Sequence, residues 1–271
     1  MNFLKAIIID LDGTLLNDNK EVSKKDVQTL HDLGKKDIIR IIATGRSLYS
    51  VNEVLSKDFP IDYLIFDAGA GIINFKTKEI AKSYSINYED VIAITNKLLN
   101  LRLDFQVRNK IPESHKYIFK KFSKNNSDFD RINTIYKNHC KEFSAYTELK
   151  EATRFICISQ NDKIVKTIKT EFNDFGIIRA TSPIDKKSVW MEIYPKGVNK
   201  GSSLKWLCNK LNINLKETVG LGNDYNDIDF LDICEKSYVV ENSPKILKDK
   251  YHVTVNNNES PLYSLISENT F

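Results

Sequence analysis

The chain has four cysteines and four histidines in 271 residues, and neither set is clustered. Cys140, Cys157, Cys208 and Cys234 form no Cys-x-x-Cys pair, which argues against a zinc site or a disulfide framework. The histidines show no His-x-x-x-His spacing, so histidine chemistry is not what the chain advertises. No apolar run reaches the ~18 residues of a membrane span, and no internal repeat or low-complexity linker is visible. The first residues run straight into an apolar segment, without the basic region and apolar stretch of a signal peptide, so a cytoplasmic protein is expected. The net charge is only +4, with Lys and Arg interspersed among Asp and Glu. Lys35-Lys36, Lys120-Lys121 and Lys186-Lys187 read as short solvated pairs. A nucleic-acid surface would need a concentrated basic stripe or a recognised module, so neither nucleic acid nor membrane is expected as a partner.

What is present is a globular composition, 41% hydrophobic and 10% aromatic, on a chain long enough for one large or two moderate domains. Phe3 to Ile9 is a nearly continuous apolar, β-branched run, the pattern of a strand buried on both faces and hence parallel. Ser23 to Lys35 fits a helix with Ser23 as N-cap, Val27, Leu30 and Leu33 at helical spacing and Gly34 at its end. A second buried strand spans Asp37 to Ala43, a helix Ser47 to about Lys57, and a third strand Tyr63 to Phe66. Three strand–helix units in sequence predict a doubly wound parallel sheet.

The rhythm changes after Ile72. Helices are expected over Asp90 to Leu101 (Val91, Ile94 and Leu98 on one face) and Asp162 to Phe175 (Ile164, Ile168 and Phe172 inward). Strands are expected at Arg154–Ser159, Gly176–Ala180 and Val189–Tyr194, while 108–150 is polar and resists assignment. The parallel pattern returns with a helix over Asn199 to Leu211, strands at Thr218–Leu221, Ser237–Val240 and Tyr251–Val255, and a helix over Asn226 to Ile233. The expected fold class is therefore α/β: a doubly wound parallel core over 1–82 and 193–271, interrupted by an inserted α+β domain over 83–192.

Four segments deliver polar groups to one edge of that core, where open parallel sheets bind their ligands. The first strand ends in Asp10-Leu11-Asp12-Gly13-Thr14. Close carboxylates repel unless a cation lies between them, and a hard cation such as Mg2+ is the natural companion of oxygen ligands. An Asp-Gly turn is the plainer alternative. The second segment is Thr44-Gly45-Arg46, a hydroxyl and an amide at a helix start, suited to an anion. The third carries Lys200 near a helix start, where a cation opposes the helix dipole; Lys196 is its neighbour in the same stretch. The fourth, Gly222-Asn223-Asp224-Tyr225-Asn226-Asp227, joins a strand end to a helix start.

In this order, and with an insertion between the second and third, these segments resemble the four signatures of the haloacid dehalogenase superfamily of phosphatases, in its Cof-like branch. The resemblance implies a Rossmann-like core with a large α+β cap of type C2. It implies Asp10 as nucleophile, Asp12 as general acid/base and Lys200 as the partner of the nucleophile and the phosphoryl group. Thr14, Thr44, Gly45, Arg46 and Asn226 would contact substrate. Mg2+ would be held by Asp10, the Asp12 carbonyl and Asn223 or Asp224, with Asp227 behind them. Two positions depart from the pattern. Asn223 stands where a metal-binding Asp is usual, which lowers the ligand charge, and Ala68 stands where relatives often have Asn. The activity implied is Mg2+-dependent hydrolysis of a small phosphorylated metabolite, a sugar phosphate first, with the cap closing over the site. A phosphotransferase or mutase would use the same residues, and a phosphate-binding protein is conceivable given Asn223. Lys186, Lys187, Trp190 and 108–150 offer no readable substrate code.

Overall fold

The computed structural model describes residues 4–182 and 188–269, so the Lys186-Lys187 pair lies outside the described residues. The chain forms two compact units, one from Met1–Arg46, Ser50–Lys82 and Asn199–Phe271, the other from Ser47–Tyr49 and Ser83–Val198. In chain order the elements up to the long insert are β1 (Ala6–Asp10), α1 (Lys24–Lys35), β2 (Ile39–Ala43), α2 (Leu48–Val51), β3 (Tyr63–Phe66), β4 (Gly71–Asn74) and β5 (Ile80–Ser83). The insert carries α3 (Tyr88–Asn100), β6 (Phe105–Asn109), β7 (Tyr117–Lys120), α4 (Ser127–Ile135), β8 (Cys140–Glu142), β9 (Ala152–Ser159), α5 (Lys163–Glu171), β10 (Gly176–Thr181) and β11 (Val189–Tyr194). After it come α6 (Lys200–Leu211), β12 (Thr218–Gly222), α7 (Ile228–Leu231), β13 (Lys236–Val240), α8 (Lys245–Lys248), β14 (His252–Thr254) and α9 (Pro261–Glu268).

The first unit is built on an eight-stranded sheet of order β14-β13-β12-β1-β2-β3-β4-β5. Pairings from β14 through β3 are parallel, and β4 joins β3 antiparallel. β1 is buried along its whole length, as its unbroken apolar run requires. The chain steps from β1 outward through β2 and β3, then returns to the other side of β1 at β12. The boundary between β1 and β12 is thus the topological switch point, and a crevice opens beyond the strand ends there. Asp10 ends β1, and Gly222 ends β12 directly before Asn223.

The second unit holds a six-stranded sheet of order β10-β11-β9-β6-β7-β8, antiparallel except for β7 with β8. One face packs Phe105, Val107, Phe155, Cys157, Met191 and Ile193 against the apolar stripes of α3 and α5. On the other face, Phe129 and Ile132 of α4 cover Ile156, Ile158 and Trp190. Among the described residues no helix is long and apolar enough to cross a membrane.

Several elements differ from the expectation. The helix expected from Ser47 shrinks to Leu48–Val51, and Val54 and Leu55 close turns onto the Val51 carbonyl. The polar run Asn52-Glu53 and Ser56-Lys57-Asp58 offers no second apolar turn to bury. The last helix of the fourth segment starts as a 3-10 turn at Tyr225–Asp227 and continues only over Ile228–Leu231. The polar 108–150 stretch contains β7, α4 and the three-residue β8.

Gly34 does not end α1. The left-handed residue beyond the helix is Asp37, and a Cβ at Gly34 would lie 2.2 Å from a guanidinium nitrogen of Arg40. The glycine leaves room for Arg40, which forks onto Asp62 (Nε to Oδ2 2.8 Å, Nη2 to Oδ1 2.9 Å) and donates to the Leu30 carbonyl. Burial pushes the Asp62 carboxyl up, but Arg40 and Lys76 outweigh it and hold it below the usual range. Asp62→Ala leaves the buried guanidinium without its counter-charge and should cost about 3–5 kcal/mol in urea unfolding. Because the folded carboxyl is the stronger acid, its stabilisation is complete above its ordinary pKa and is lost as pH falls through the depressed value. The gap between wild type and Asp62→Ala should therefore hold from pH 7 to 5 and shrink below about pH 4.

Candidate active site

At the switch point the side chains converge on one buried cation. Lys200 opens α6, and Asn199 before it accepts from the Ser202 N–H while the Ser202 hydroxyl takes the Asn199 N–H. This capping box fixes the turn that aims Lys200 inward. Its ammonium lies 2.7 Å from Asp10 Oδ1 and 2.7 Å from Asp227 Oδ1, with the lysine 1% and Asp227 0% exposed. Burial alone would favour the neutral amine, but the two carboxylates overcome it and raise the Lys200 pKa. Asp10 is pushed above the ordinary carboxylate range, by burial first and by Asp227 second, with Lys200 pulling the other way. Its second oxygen, Oδ2, is buried with no hydrogen-bond partner. An anionic oxygen in that position needs a cation or a proton.

The other predicted residues take distinct places. Both Asp12 oxygens are engaged by Arg46, at 2.6 Å from Nε and 2.7 Å from Nη2, and Lys20 adds a 3.3 Å contact. Burial raises the Asp12 pKa, but the Arg46 fork outweighs it and the net shift is downward. Thr44 is buried at the end of β2, and its hydroxyl accepts the Arg46 N–H at 3.1 Å. A Cβ on Gly45 would lie 3.9 Å from Asn226 Nδ2, so these two predicted substrate contacts are neighbours. Thr14 is fully buried, with an unpartnered hydroxyl oxygen.

In the fourth segment, Asp227 Oδ2 accepts the N–H groups of Asn223 (2.8 Å) and Asp224 (3.0 Å). With Oδ1 on Lys200, both of its oxygens are spent holding the loop. The Asp224 carboxylate caps its own turn by accepting the Tyr225 N–H. Among the described residues no group of three or more His, Cys, Asp or Glu is placed to hold a metal. Side-chain oxygens of Asp12, Asp10, Asp224 and Asp227 are engaged by Arg46, Lys200 and backbone N–H groups. Asp10 Oδ2 remains, together with Asn223, whose side chain lies over Gly13: a Cβ there would meet Asn223 Nδ2 at 2.5 Å. Gly13 has φ +75°, a conformation glycine adopts without penalty. Oxygen donors of low total charge fit a cation that keeps several waters, as Mg2+ does.

Two features escaped sequence reasoning. Asp67 and Ala68, after β3, both have positive φ (48° and 50°). A left-handed backbone suits Asn better than Ala, which gives the Ala68 departure a backbone cost. Close by, Ser203 Oγ donates to the Gly69 carbonyl at 2.6 Å. Second, Asn242, in the turn after β13, donates to the Gly13 carbonyl at 2.8 Å. An Asn just beyond a strand of the parallel core was the available signal.

The buried triad makes a direct test possible. Lys200→Met leaves Asp10 and Asp227 facing each other without a counter-charge, a loss expected to reach about 3–5 kcal/mol at pH 8 in chelator. The Asp10 carboxyl, raised in the folded state, binds a proton more tightly there than in the unfolded chain, so stability falls as pH rises above its ordinary pKa. Urea unfolding should thus show a smaller deficit for Lys200→Met at pH 5 than at pH 8.

A family model described as haloacid dehalogenase-like hydrolase matches residues 7–266. A Streptococcus pyogenes relative is 24% identical over 266 residues, covering 95% of both chains. The phosphatase YwpJ of Bacillus subtilis is 24% identical over 283 residues, covering 94% of this chain and 96% of that one. Among solved structures, the haloalkanoate-superfamily protein BT1666 of Bacteroides thetaiotaomicron aligns with TM-score 0.82 at 17% identity, over 98% of this chain and 94% of that one. The sugar phosphatase BT4131 aligns with TM-score 0.77 at 19% identity, over 97% and 98%. With its family match spanning nearly the whole chain and its four polar segments gathered at the switch point of the sheet, this chain belongs to the haloacid dehalogenase-like hydrolases of the Cof type and is a phosphohydrolase.

Proposed function

We propose that this hydrolase is a Mg2+-dependent phosphatase of a small phosphorylated metabolite, of sugar-phosphate class, working in the cytoplasm through an aspartyl-phosphate. The observation that carries the reading is Asp10: one oxygen fixed by buried Lys200, the other buried and bare. A carboxylate so placed has its orientation set before substrate arrives, with its oxygens left to attack phosphorus and to share a cation. The sugar-phosphate class is supported by the likeness to a sugar phosphatase, and the cytoplasmic setting by four free thiols.

In the first step an Asp10 oxygen bonds to phosphorus as the bond to the leaving oxygen breaks, and a proton passes from Asp12 to that oxygen. In the second, water attacks phosphorus, Asp12 takes its proton, and the bond between Asp10 and phosphorus breaks to release phosphate. The Arg46 fork holds the Asp12 pKa down; transfer of that fork to an incoming phosphate monoanion frees Asp12 to take a proton from the monoanion or from water, which it then donates to the leaving oxygen. Lys200, Thr44, the Gly45 amide and Asn226 surround the phosphoryl oxygens, since phosphoryl transfer is chiefly positioning and charge stabilisation. Asp10 and Asn223 or Asp224 are the residues that would hold Mg2+, with the Asp12 carbonyl. The metal would offset the repulsion between carboxylate and phosphate. The inserted domain, 83–192, is proposed as the cap and source of leaving-group specificity.

The test is hydrolysis of p-nitrophenyl phosphate with and without Mg2+ by wild type, Asp10→Asn and Asn223→Asp. Metal-dependent turnover should fall by at least about 1,000-fold in Asp10→Asn. Asn223→Asp should tighten the apparent Mg2+ affinity about tenfold by adding one ligand charge. An inactive wild type, on this probe and on a panel of sugar phosphates, would favour the phosphate-binding reading that neutral Asn223 leaves open. Transfer of the phosphoryl group to an added alcohol in place of water would mark a phosphotransferase.

A further inference from the structure

The loop that carries Asp10 and Asp12 is gripped from the far end of the chain by two asparagines. Asn242, beyond β13, donates through Nδ2 to the Gly13 carbonyl at 2.8 Å. Its Oδ1 accepts the Asn257 N–H at 3.1 Å. Asn257, beyond β14, is buried and donates through Nδ2 to the Leu16 carbonyl at 3.1 Å and to Asp18 Oδ1 at 3.4 Å. The amide orientations follow from the partners. A backbone N–H can only donate and a carbonyl can only accept, so Asn242 must turn its oxygen to Asn257 and its nitrogen to Gly13. The same logic turns the Asn257 nitrogen to Leu16 and Asp18. The two side chains thus hold the C-terminal part of the loop at two points, Gly13 and Leu16.

Gly13 is the loop residue with the least conformational restraint of its own, at φ +75°. A trans peptide keeps its C=O and N–H antiparallel in one plane. Fixing the Gly13 oxygen therefore fixes the direction in which the Thr14 N–H is offered, and holds Gly13 beneath Asn223. We infer that Asn242, braced by Asn257, is a positioning residue: it sets the Gly13–Thr14 peptide plane so that the Asp10–Thr14 loop is presented to the phosphoryl group in one orientation. The inference rests on the phosphatase reading for its catalytic consequence. Asn242 itself touches only backbone and Asn257 among the bonds that define its place. It is exposed, so its removal should spare the fold.

Three measurements on wild type, Asn242→Ala, Asn242→Asp and Asn258→Ala test this. They are kcat and KM for p-nitrophenyl phosphate, inorganic phosphate affinity by calorimetry in Mg2+, and amide hydrogen exchange of residues 11–16. In Asn242→Ala, kcat should fall about 10- to 100-fold with KM nearly unchanged, phosphate affinity should weaken, and exchange in 11–16 should quicken while the rest of the chain keeps its rates. Asn242→Asp keeps the acceptor for Asn257 but sets a carboxylate oxygen against the Gly13 carbonyl, so it should fare no better than Ala. Asn258→Ala, which loses its bond from the Asp18 N–H but does not touch Gly13, should keep kcat. Unchanged kcat, phosphate affinity and exchange in Asn242→Ala would overturn the inference, as would wild-type turnover by Asn242→Asp. If wild type hydrolyses no phosphomonoester, the phosphatase reading fails instead, and phosphate affinity and exchange in 11–16 still decide whether Asn242 positions the loop.

Discussion

A lysine ammonium with almost no solvent access exists only where other charges hold it, and the first unit is arranged to supply them. Two carboxylates at 2.7 Å each replace the water that Lys200 gives up. The requirement ties three remote pieces of chain to one point: the end of β1, the start of α6 and the loop after β12. It also accounts for the division of labour among the acids. Asp227 spends one oxygen on Lys200 and the other on the Asn223 and Asp224 N–H groups, so it is a brace for loop and lysine together. Asp10 spends only one, and its other oxygen is left buried without a hydrogen-bond partner. Buried ion pairs are weak evidence of stability in themselves; here the pair fixes where the Asp10 carboxylate stands.

The sheet makes that meeting possible. β1 lies between β12 and β2 with parallel partners on both sides, and the change of winding direction at β1 leaves the space beyond its end unfilled by crossing chain. The second unit follows a different rule. Its antiparallel sheet buries an apolar face against α3 and α5, while the opposite face is shared between α4 and polar groups such as Gln106, Arg108, Arg154 and Glu192. Arg154 donates to the Tyr194 hydroxyl, which donates to Glu192.

Legibility followed burial. β1, β2, β3 and β12 were readable because strands buried on both faces are mostly apolar, and α1, α3 and α6 because their stripes keep helical spacing, with Ser23 as an N-cap signal for α1. The 108–150 stretch was not, since β8 is three residues with no fully buried side chain, and α4 depends on Phe129 and Ile132 alone for its buried apolar anchors. The helix expected after Thr44-Gly45-Arg46 was overextended for a related reason: a short apolar period carries no information about where packing stops. Gly34 looked like a helix end and proved to be a recess for Arg40, a contact no local pattern announces.

By itself, the sequence determined which chemical groups reach the edge of the core and in what order, because each follows a strand or opens a helix whose apolar pattern is unmistakable. Tertiary structure decided what each oxygen does. Asp12 is forked by Arg46, Asp224 caps its own turn, Asp227 braces Lys200, and Asn242 reaches back to the Gly13 carbonyl across 229 positions. The reason is directional. Hydrogen bonds and ion pairs are chosen within a few tenths of an ångström by donors that folding brings from distant segments, and a one-dimensional spacing specifies residue types but not the partners that their individual atoms will find.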